Sequence, residues 1–300
     1  MTTSALLTMR ALTSLQVGDG AGLGAITLPI RRERTTRYPV VAGSSVRGAL
    51  RAQAADSAEQ DDATTVFLFG PPRGRATDHA AGTLRVGDAI LLALAVASAR
   101  GGYALATCPL ILLRWQRLLA RAGHGPLGRV PTVEPGHGLV AEGSPLAIAA
   151  DGGQVVVLRD GAYLVASPDE EPGPTLFERV LRYLPVLDES DAKRLVVLAD
   201  DDFEHLARTA PPVETHIRLE LETKNVAKGA LFTEEVLPPE TLLGCLIEDR
   251  TVRHGPAARR PSAAVEDLLG RLGLVDGRAV LHLGGGHTVG RGYVEVACCR

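Results

Sequence analysis

Hydrophobic and polar positions repeat at two periods along this chain, and the changes of period mark out its elements. Thr3–Val17 alternates loosely as a strand, and Gly18, Gly20, Gly22 and Gly24 loosen the chain before Pro29. Pro39–Ala42 reads as extended. Ser44 and Ser45 then stand where a helix N-cap belongs, ahead of Val46, Ala49, Leu50, Gln53 and Ala54 at helical spacing. Loops are predicted over 56–62 and 71–74. Asp88–Ala97 has the composition of a buried strand, and Pro109 opens a helix through Trp115 to Ala122. Gly and Pro crowd 123–153, which predicts an irregular insertion separating two halves.

The second half repeats the same vocabulary. Gln154–Leu158 and Ala162–Ala166 flank Asp160-Gly161, a hairpin signal, and Thr175 with Glu178 forms a capping box ahead of Phe177, Val180, Leu181 and Leu184. Lys193–Ala199 reads as a strand. Glu214–Glu222 alternates strictly, with Thr215, Ile217, Leu219 and Leu221 on one face and His216, Arg218, Glu220 and Glu222 on the other. A turn over 224–231 and a return along Phe232–Leu237 complete a projecting hairpin, 214–237. Thr241–Glu248, Ala279–Leu283 and Tyr293–Ala297 read as strands, Pro261–Leu272 as a helix, and 284–292 as a glycine-rich loop. Two rounds of strand, helix and strand pair predict an α+β fold with antiparallel sheets and no solenoid repeat.

Composition narrows the function. With 45% apolar residues in 300, the chain can bury a large core, and 32 Lys+Arg against 35 Asp+Glu exclude a polycation. The average hides a bias: residues 1–54 hold seven arginines (10, 31, 32, 34, 37, 47, 51) against Asp19 and Glu33, a net of +5. Aromatics are only 4%, too few to tile a face with stacking rings, so a nucleic acid would be gripped by its backbone. Cysteines 108, 245, 298 and 299 match neither C-x-x-C spacing nor a disulfide scaffold. With no apolar stretch of membrane-spanning length, the expectation is a soluble cytoplasmic protein without a membrane partner.

Four places carry candidate chemistry. Gly43-Ser-Ser-Val-Arg-Gly-Ala-Leu-Arg51 places two hydroxyls at a helix N-terminus and Arg47 and Arg51 on one helical face, a phosphate site or an ordinary capped helix. Gly284-Gly-Gly-His-Thr-Val-Gly-Arg-Gly292 lets backbone approach an anion, with Arg291 as the charge; the plain alternative is a tight strand connection. The loop 18–37 mixes Asp19, Thr27, Glu33 and four arginines, a set for phosphodiester chemistry or a salt-bridged loop. Ala230, Leu231 and Phe232 in the hairpin are core residues or an apolar wedge. The scattered histidines, His282 and His287 included, lack companions at ligand spacing, and Ser44 and Ser45 lack the glycines of a nucleophile elbow.

These pieces resemble, in order, the RAMP-superfamily backbone subunit of type III-B (Cmr) CRISPR effectors. The likeness runs through Leu12-Thr-Ser-Leu-Gln-Val-Gly-Asp-Gly20, Gly24-Ala-Ile-Thr-Leu-Pro-Ile-Arg-Arg-Glu-Arg34 and Tyr38-Pro-Val-Val-Ala-Gly-Ser-Ser-Val-Arg-Gly-Ala-Leu-Arg51. It continues through Phe69-Gly-Pro-Pro72, Val86-Gly-Asp88, Thr223-Lys-Asn-Val-Ala-Lys-Gly-Ala-Leu-Phe-Thr-Glu-Glu235 and the closing glycine loop, so it spans the chain.

The resemblance implies a single RAMP domain over 1–300: a ferredoxin-like, RRM-like palm with inserted fingers and a β-hairpin thumb. Its opening strand, loop and guide-binding helix occupy 1–55. It implies that Ser44, Ser45, Arg47 and Arg51 grip guide RNA with Gly285, Gly286 and Arg291 beside them, and that Lys228, Leu231 and Phe232 meet the guide–target duplex near the thumb tip. Partners implied are a crRNA, complementary target RNA, further copies of the chain in a helical filament, and other type III effector subunits.

Two departures bear on catalysis. Cleaving members carry an aspartate where this chain has Thr27, and Gln16 stands in place of the usual histidine. A threonine hydroxyl has no negative charge near neutral pH, so target cleavage is expected to be lost, with no metal or cofactor needed. The alternative is a Mg²⁺-dependent endoribonuclease active through Asp19 or Glu33, and a third reading is a small nucleotide-binding enzyme using both glycine loops.

Overall fold

The computed structural model describes residues 4–18, 20, 22, 24–56, 63–71, 81–166, 174–220, 222, 225–249 and 264–299. Among them, eleven strands of a twelve-stranded sheet follow one path. The order is β13 (Arg278–His282), β14 (Tyr293–Cys298), β1 (Ser4–Ala11), β12 (Leu242–Asp249), β3 (Leu84–Ser98), β4 (Gly102–Thr107), β9 (Leu195–Leu198), β5 (His137–Val140), β8 (Gly161–Val165), β7 (Gly153–Leu158) and β6 (Ile148–Ala150). The short β2 (Val40–Val41) pairs with β3. β1 lies between β14 and β12, antiparallel to both, and β12 is antiparallel to β3.

Residues 5–9 of β1 are all buried because both faces of the sheet are covered, which is why the sequence alternates only loosely there. Ala5, Leu7 and Met9 enter one core with Val46, Leu50 and Ala54 of α1 (Gly43–Asp56), Leu68 of α2 (Ala63–Phe69), and Val265 and Leu268 of α7 (Ala264–Arg271). Leu6 points the other way, into a core built on Trp115 and Leu119 of α3 (Pro109–Arg121) and Phe177 and Val180 of α4 (Leu176–Arg182). Thr8, fully buried, satisfies its hydroxyl by donating to the Ala297 carbonyl at 3.3 Å.

Several elements follow the sequence expectation closely. β3 and α3 cover the predicted buried strand and Pro-initiated helix. The capping box is formed, with Glu178 N–H donating to Thr175 Oγ1 at 3.2 Å and Thr175 N–H to Glu178 Oε2 at 2.7 Å. The helix expected over 261–272 is present as α7, and its first expected residues, 261–263, lie outside those described.

Three elements differ. The stretch 123–153 is irregular to Pro135, but β5 and β6 then join the main sheet, so it extends the sheet rather than dividing the chain. α1 opens at Gly43, ahead of Ser44 and Ser45. The hairpin, β10 (Val213–Leu219) with β11 (Val226–Glu235), turns around 220–225 instead of 224–231. Its register pairs Leu219 with Val226, Ile217 with Leu231 and His216 with Phe232, and Glu220 N–H closes the turn on the Asn225 carbonyl at 2.8 Å. Leu231 and Phe232 therefore stand partway along an arm, not at the tip. Among the described residues, no helix is long and apolar enough to cross a membrane.

Candidate nucleic-acid interface

α1 presents its first turn to solvent and buries Val46 and Leu50 beneath it. Ser44 and Ser45 are exposed there. The helix end is capped from a distance: Gly43 N–H donates to Asp88 Oδ1 of β3 at 2.7 Å, while Ser45 and Val46 N–H both donate to the Ala42 carbonyl. Asp88 thus supplies a negative charge at the positive end of the helix, the place first assigned to a serine cap. A contact between residues 45 positions apart leaves no periodic trace in the sequence; the Val86-Gly-Asp88 motif was its only signal.

Arg47 and Arg51 share a face of α1, as their spacing predicts. Arg47 donates to the Phe69 carbonyl with its guanidinium 5.7 Å from the Phe69 ring centroid, and Arg51 donates to the Gly70 carbonyl at 3.1 Å. These carbonyls end α2, so the two arginines cap a helix C-terminus while carrying positive charge beside the exposed serines. Burial, and then the nearby Arg51 charge, lower the pKa of Arg47.

A second group gathers around the hairpin base. Thr27 N–H donates to Thr233 Oγ1 at 3.0 Å, Thr233 N–H donates to Thr27 Oγ1 at 3.2 Å, and Thr233 Oγ1 donates to the Ala25 carbonyl at 3.2 Å. The backbone continues the seam: Leu28 N–H donates to the Thr233 carbonyl, and Glu235 N–H to the Leu28 carbonyl. Glu235, only 5% exposed, accepts from Ile30 N–H at 3.1 Å and from Arg32 Nη2 at 2.6 Å. Among the described residues, no group of three or more His, Cys, Asp or Glu side chains is placed to hold a metal ion.

The candidate acids fare differently. Asp19 lies outside the described residues. Glu33 is engaged: Arg114 Nη1 donates to one carboxylate oxygen at 2.9 Å and Arg114 Nη2 to the other, and Thr36 Oγ1 adds a third bond. Burial would raise the Glu33 carboxyl, but the hydrogen bonds from Arg114 and Thr36 and the Arg114 charge outweigh it and hold it below the ordinary range. Burial pushes the Cys108 and Cys245 thiols up to about 12, so neither is a thiolate near neutral pH.

The glycine-rich loop closes against Gln16. Gly285 N–H donates to the Gln16 carbonyl at 2.8 Å, and Gly284 has φ +90° with any Cβ colliding with that carbonyl, so only glycine fits. Gly285 and Gly286 are exposed. Arg291 has its guanidinium between Glu214 and Glu234, with a side chain 15% exposed. Along the hairpin, Leu231 is 65% and its partner Ile217 54% exposed, an apolar pair facing solvent, while Phe232 is half-buried against His216 with ring centroids 5.1 Å apart. The Lys228 backbone lies in β11, and its side chain lies outside the described ones.

Comparison with known proteins matches this architecture end to end. The RAMP superfamily model matches residues 8–295. The chain is 31% identical, over 97% of its own length and 94% of the relative's, to the CRISPR system Cmr endoribonuclease Cmr4 of Pyrococcus furiosus. The crystal structure of oligomeric Cmr4 from the same organism superposes with a TM-score of 0.70 at 28% identity, covering 99% of this chain and 98% of the other. A chain of the type III-B Cmr-beta complex bound to cognate target RNA, at 17% identity, shares the fold with a TM-score of 0.73 over 99% and 97% of the two chains. Extended over nearly the whole sequence, these likenesses place the chain in the RAMP superfamily, within its Cmr4 family.

Proposed function

We propose that the chain is a guide-RNA-binding backbone subunit of a type III-B CRISPR effector that holds crRNA, kinks the guide–target duplex, and has lost target cleavage at Thr27. The observation that carries this is the 31% identity to Cmr4 along 97% of the chain. Partners in this reading are crRNA, target RNA, further copies of the chain and other effector subunits; an oligomeric relative and a target-bound assembly of the same fold support them.

The palm is ferredoxin-like in this reading. Support comes from a strand–helix–strand–strand–helix–strand series, β1, α1, β3, β12, α7 and β14, whose strands lie in the sheet order β14-β1-β12-β3. Ser44 and Ser45 offer hydroxyls, and Arg47 and Arg51 charge, to guide phosphates, with Gly285 and Gly286 presenting bare backbone. In this reading the hairpin arm that carries Lys228, Leu231 and Phe232 meets the duplex, and the exposed Leu231 with Ile217, on the face opposite Phe232, forms an apolar wedge.

Cleavage fails for a chemical reason. A hydroxyl at Thr27 neither ionises near neutral pH nor replaces a carboxylate toward Mg²⁺, and its partners are the Thr233 N–H and the Thr233 hydroxyl, which itself donates to the Ala25 carbonyl. Neutral oxygens with no carboxylate among them do not suit Mg²⁺. Glu33, held by Arg114, does not substitute.

Binding is tested by titrating two RNAs of unrelated sequence at several salt concentrations. The reading predicts matched affinities and a linear fall of log K with log salt. A strong preference for one sequence, or salt-independent binding, contradicts it.

A further inference from the structure

Glu214 and Glu234 stand directly opposite one another across β10 and β11, and like charges at such a pair repel and open a hairpin. One guanidinium lies against both. Arg291 donates through Nη2 to Glu214 and through Nη1 to Glu234. The arginine is itself fixed by its loop. Its N–H donates to the Gly286 carbonyl at 3.1 Å, its carbonyl lies 2.7 Å from His282 Nε2, and Gly286 sits so close that a Cβ there would stand 3.0 Å from Arg291 Cδ.

The pairing of residues assigns the two faces of the hairpin base. Glu214, Glu234, His216 and Phe232 share the face that Arg291 holds. Thr215, Thr233, Val213 and Glu235 share the other, where Thr27 binds Thr233 and where Ile30 and Arg32 bind Glu235. The base is therefore gripped from opposite sides by two separate loops. His216 extends the Arg291 side: its Nε2 lies 3.3 Å from the Glu234 carboxylate and its ring stacks on Phe232.

We propose that Arg291 is a positioning residue that closes the hairpin base and sets its angle to the main sheet, rather than a ligand of RNA phosphate. A two-stranded hairpin is marginal on its own, so its attitude is determined by what holds its base. The functional consequence rests on the reading of this hairpin as the element that meets the duplex: the angle fixed at Glu214 and Glu234 decides where Leu231 and Phe232 arrive.

The test compares wild type, Arg291→Gln, and Arg291→Gln combined with Glu214→Gln and Glu234→Gln. Hydrogen exchange is read in the protein without RNA, and the salt dependence of RNA binding is read separately. Arg291→Gln should speed exchange of β11 amides by roughly tenfold, as expected for losing charge-assisted bonds and unmasking carboxylate repulsion, with β1 and β3 unchanged. The triple variant should recover most of the protection, and the salt slope should stay at its wild-type value throughout. A slope reduced by about one with β11 exchange unaltered would make Arg291 a phosphate ligand and overturn the proposal. Faster exchange in β1 and β3 as well would show general loss of fold and also overturn it. Since the exchange arm uses no RNA, absence of RNA binding counts against the functional reading and leaves the clamp to be judged on exchange alone.

Discussion

Thr27 and Thr233 are locked by reciprocal hydrogen bonds, 3.0 Å from the Thr27 N–H to Thr233 Oγ1 and 3.2 Å from the Thr233 N–H to Thr27 Oγ1. A carboxylate at position 27 offers an acceptor to the same Thr233 N–H, while the bonds from the residue 27 N–H to Thr233 Oγ1 and from Thr233 Oγ1 to the Ala25 carbonyl do not involve the side chain at 27, so Thr27→Asp fits the seam without rebuilding it. Loss of a catalytic acid or base commonly costs about 10²–10⁴ in rate, and restoring one should raise cleavage of guide-matched RNA by a comparable factor. On a denaturing gel of end-labelled target, run with and without EDTA, wild type should leave the target largely intact. Thr27→Asp should give regularly spaced products, and Asp19→Asn should change neither pattern. Regular products from wild type that vanish with Asp19→Asn would overturn the assignment.

Local signals carried the fold a long way. Apolar spacing marks α1, Pro109 signals the start of α3, Thr175 with Glu178 announces α4, and a run of apolar residues marks β3, because each depends on neighbours a few positions apart. β5 and β6, four and three residues long amid glycine and proline, are too short for any period to register. The alternation does not mark the hairpin tip, because it runs on through Glu222 although the β10–β11 register already shifts between Ile217 and Leu219. At the site, the residue types of Arg47, Arg51 and Arg291 were legible but their partners were not. Asp88, Phe69, Glu214 and Glu234 come from distant parts of the chain, and only the packed sheet brings them together.

Arg47 and Arg51 hold the end of α2 as well as facing the proposed RNA path, so their two roles separate by experiment. Arg47→Ala with Arg51→Ala should weaken binding equally for unrelated sequences and lower the salt slope by about one per lost contact. It should also lower Tm, since hydrogen bonds from charged groups are worth about 1.5–3 kcal/mol each. Ser44→Ala with Ser45→Ala removes exposed hydroxyls and should reduce affinity without moving Tm. An unchanged salt slope in the double arginine variant would remove that pair from the phosphate contacts.

Glu235 joins the hairpin to the N-terminal loop from a nearly buried position. Glu235→Ala leaves Arg32 Nη2 and the Ile30 N–H without their acceptor, although Arg32 Nη1 keeps the Arg37 and Ala207 carbonyls, and should cost about 3–5 kcal/mol in a urea titration, the range for breaking one side of a buried pair. A loss within experimental error of zero would show that the Arg37 and Ala207 carbonyls alone hold Arg32 in place.

Glu33 gives a pH signature. Its carboxyl is held below the ordinary range, so its stabilising contribution is complete above the unfolded value, about 4.3, and is lost as pH falls through the lowered folded value. Thermal melts of Glu33→Gln and wild type should therefore differ most near neutral pH and converge in acid. A gap that widens on acidification would reverse the sign of this argument.

In the proposed reading this chain is a repeating unit assembled along a guide RNA. Light scattering of the purified protein, mixed with guide RNAs of increasing length, measures that assembly. Head-to-tail contacts repeat without closing, so the complex mass should climb in steps of one subunit as the guide lengthens. A mass that stays constant over the whole range of guide lengths would contradict the account.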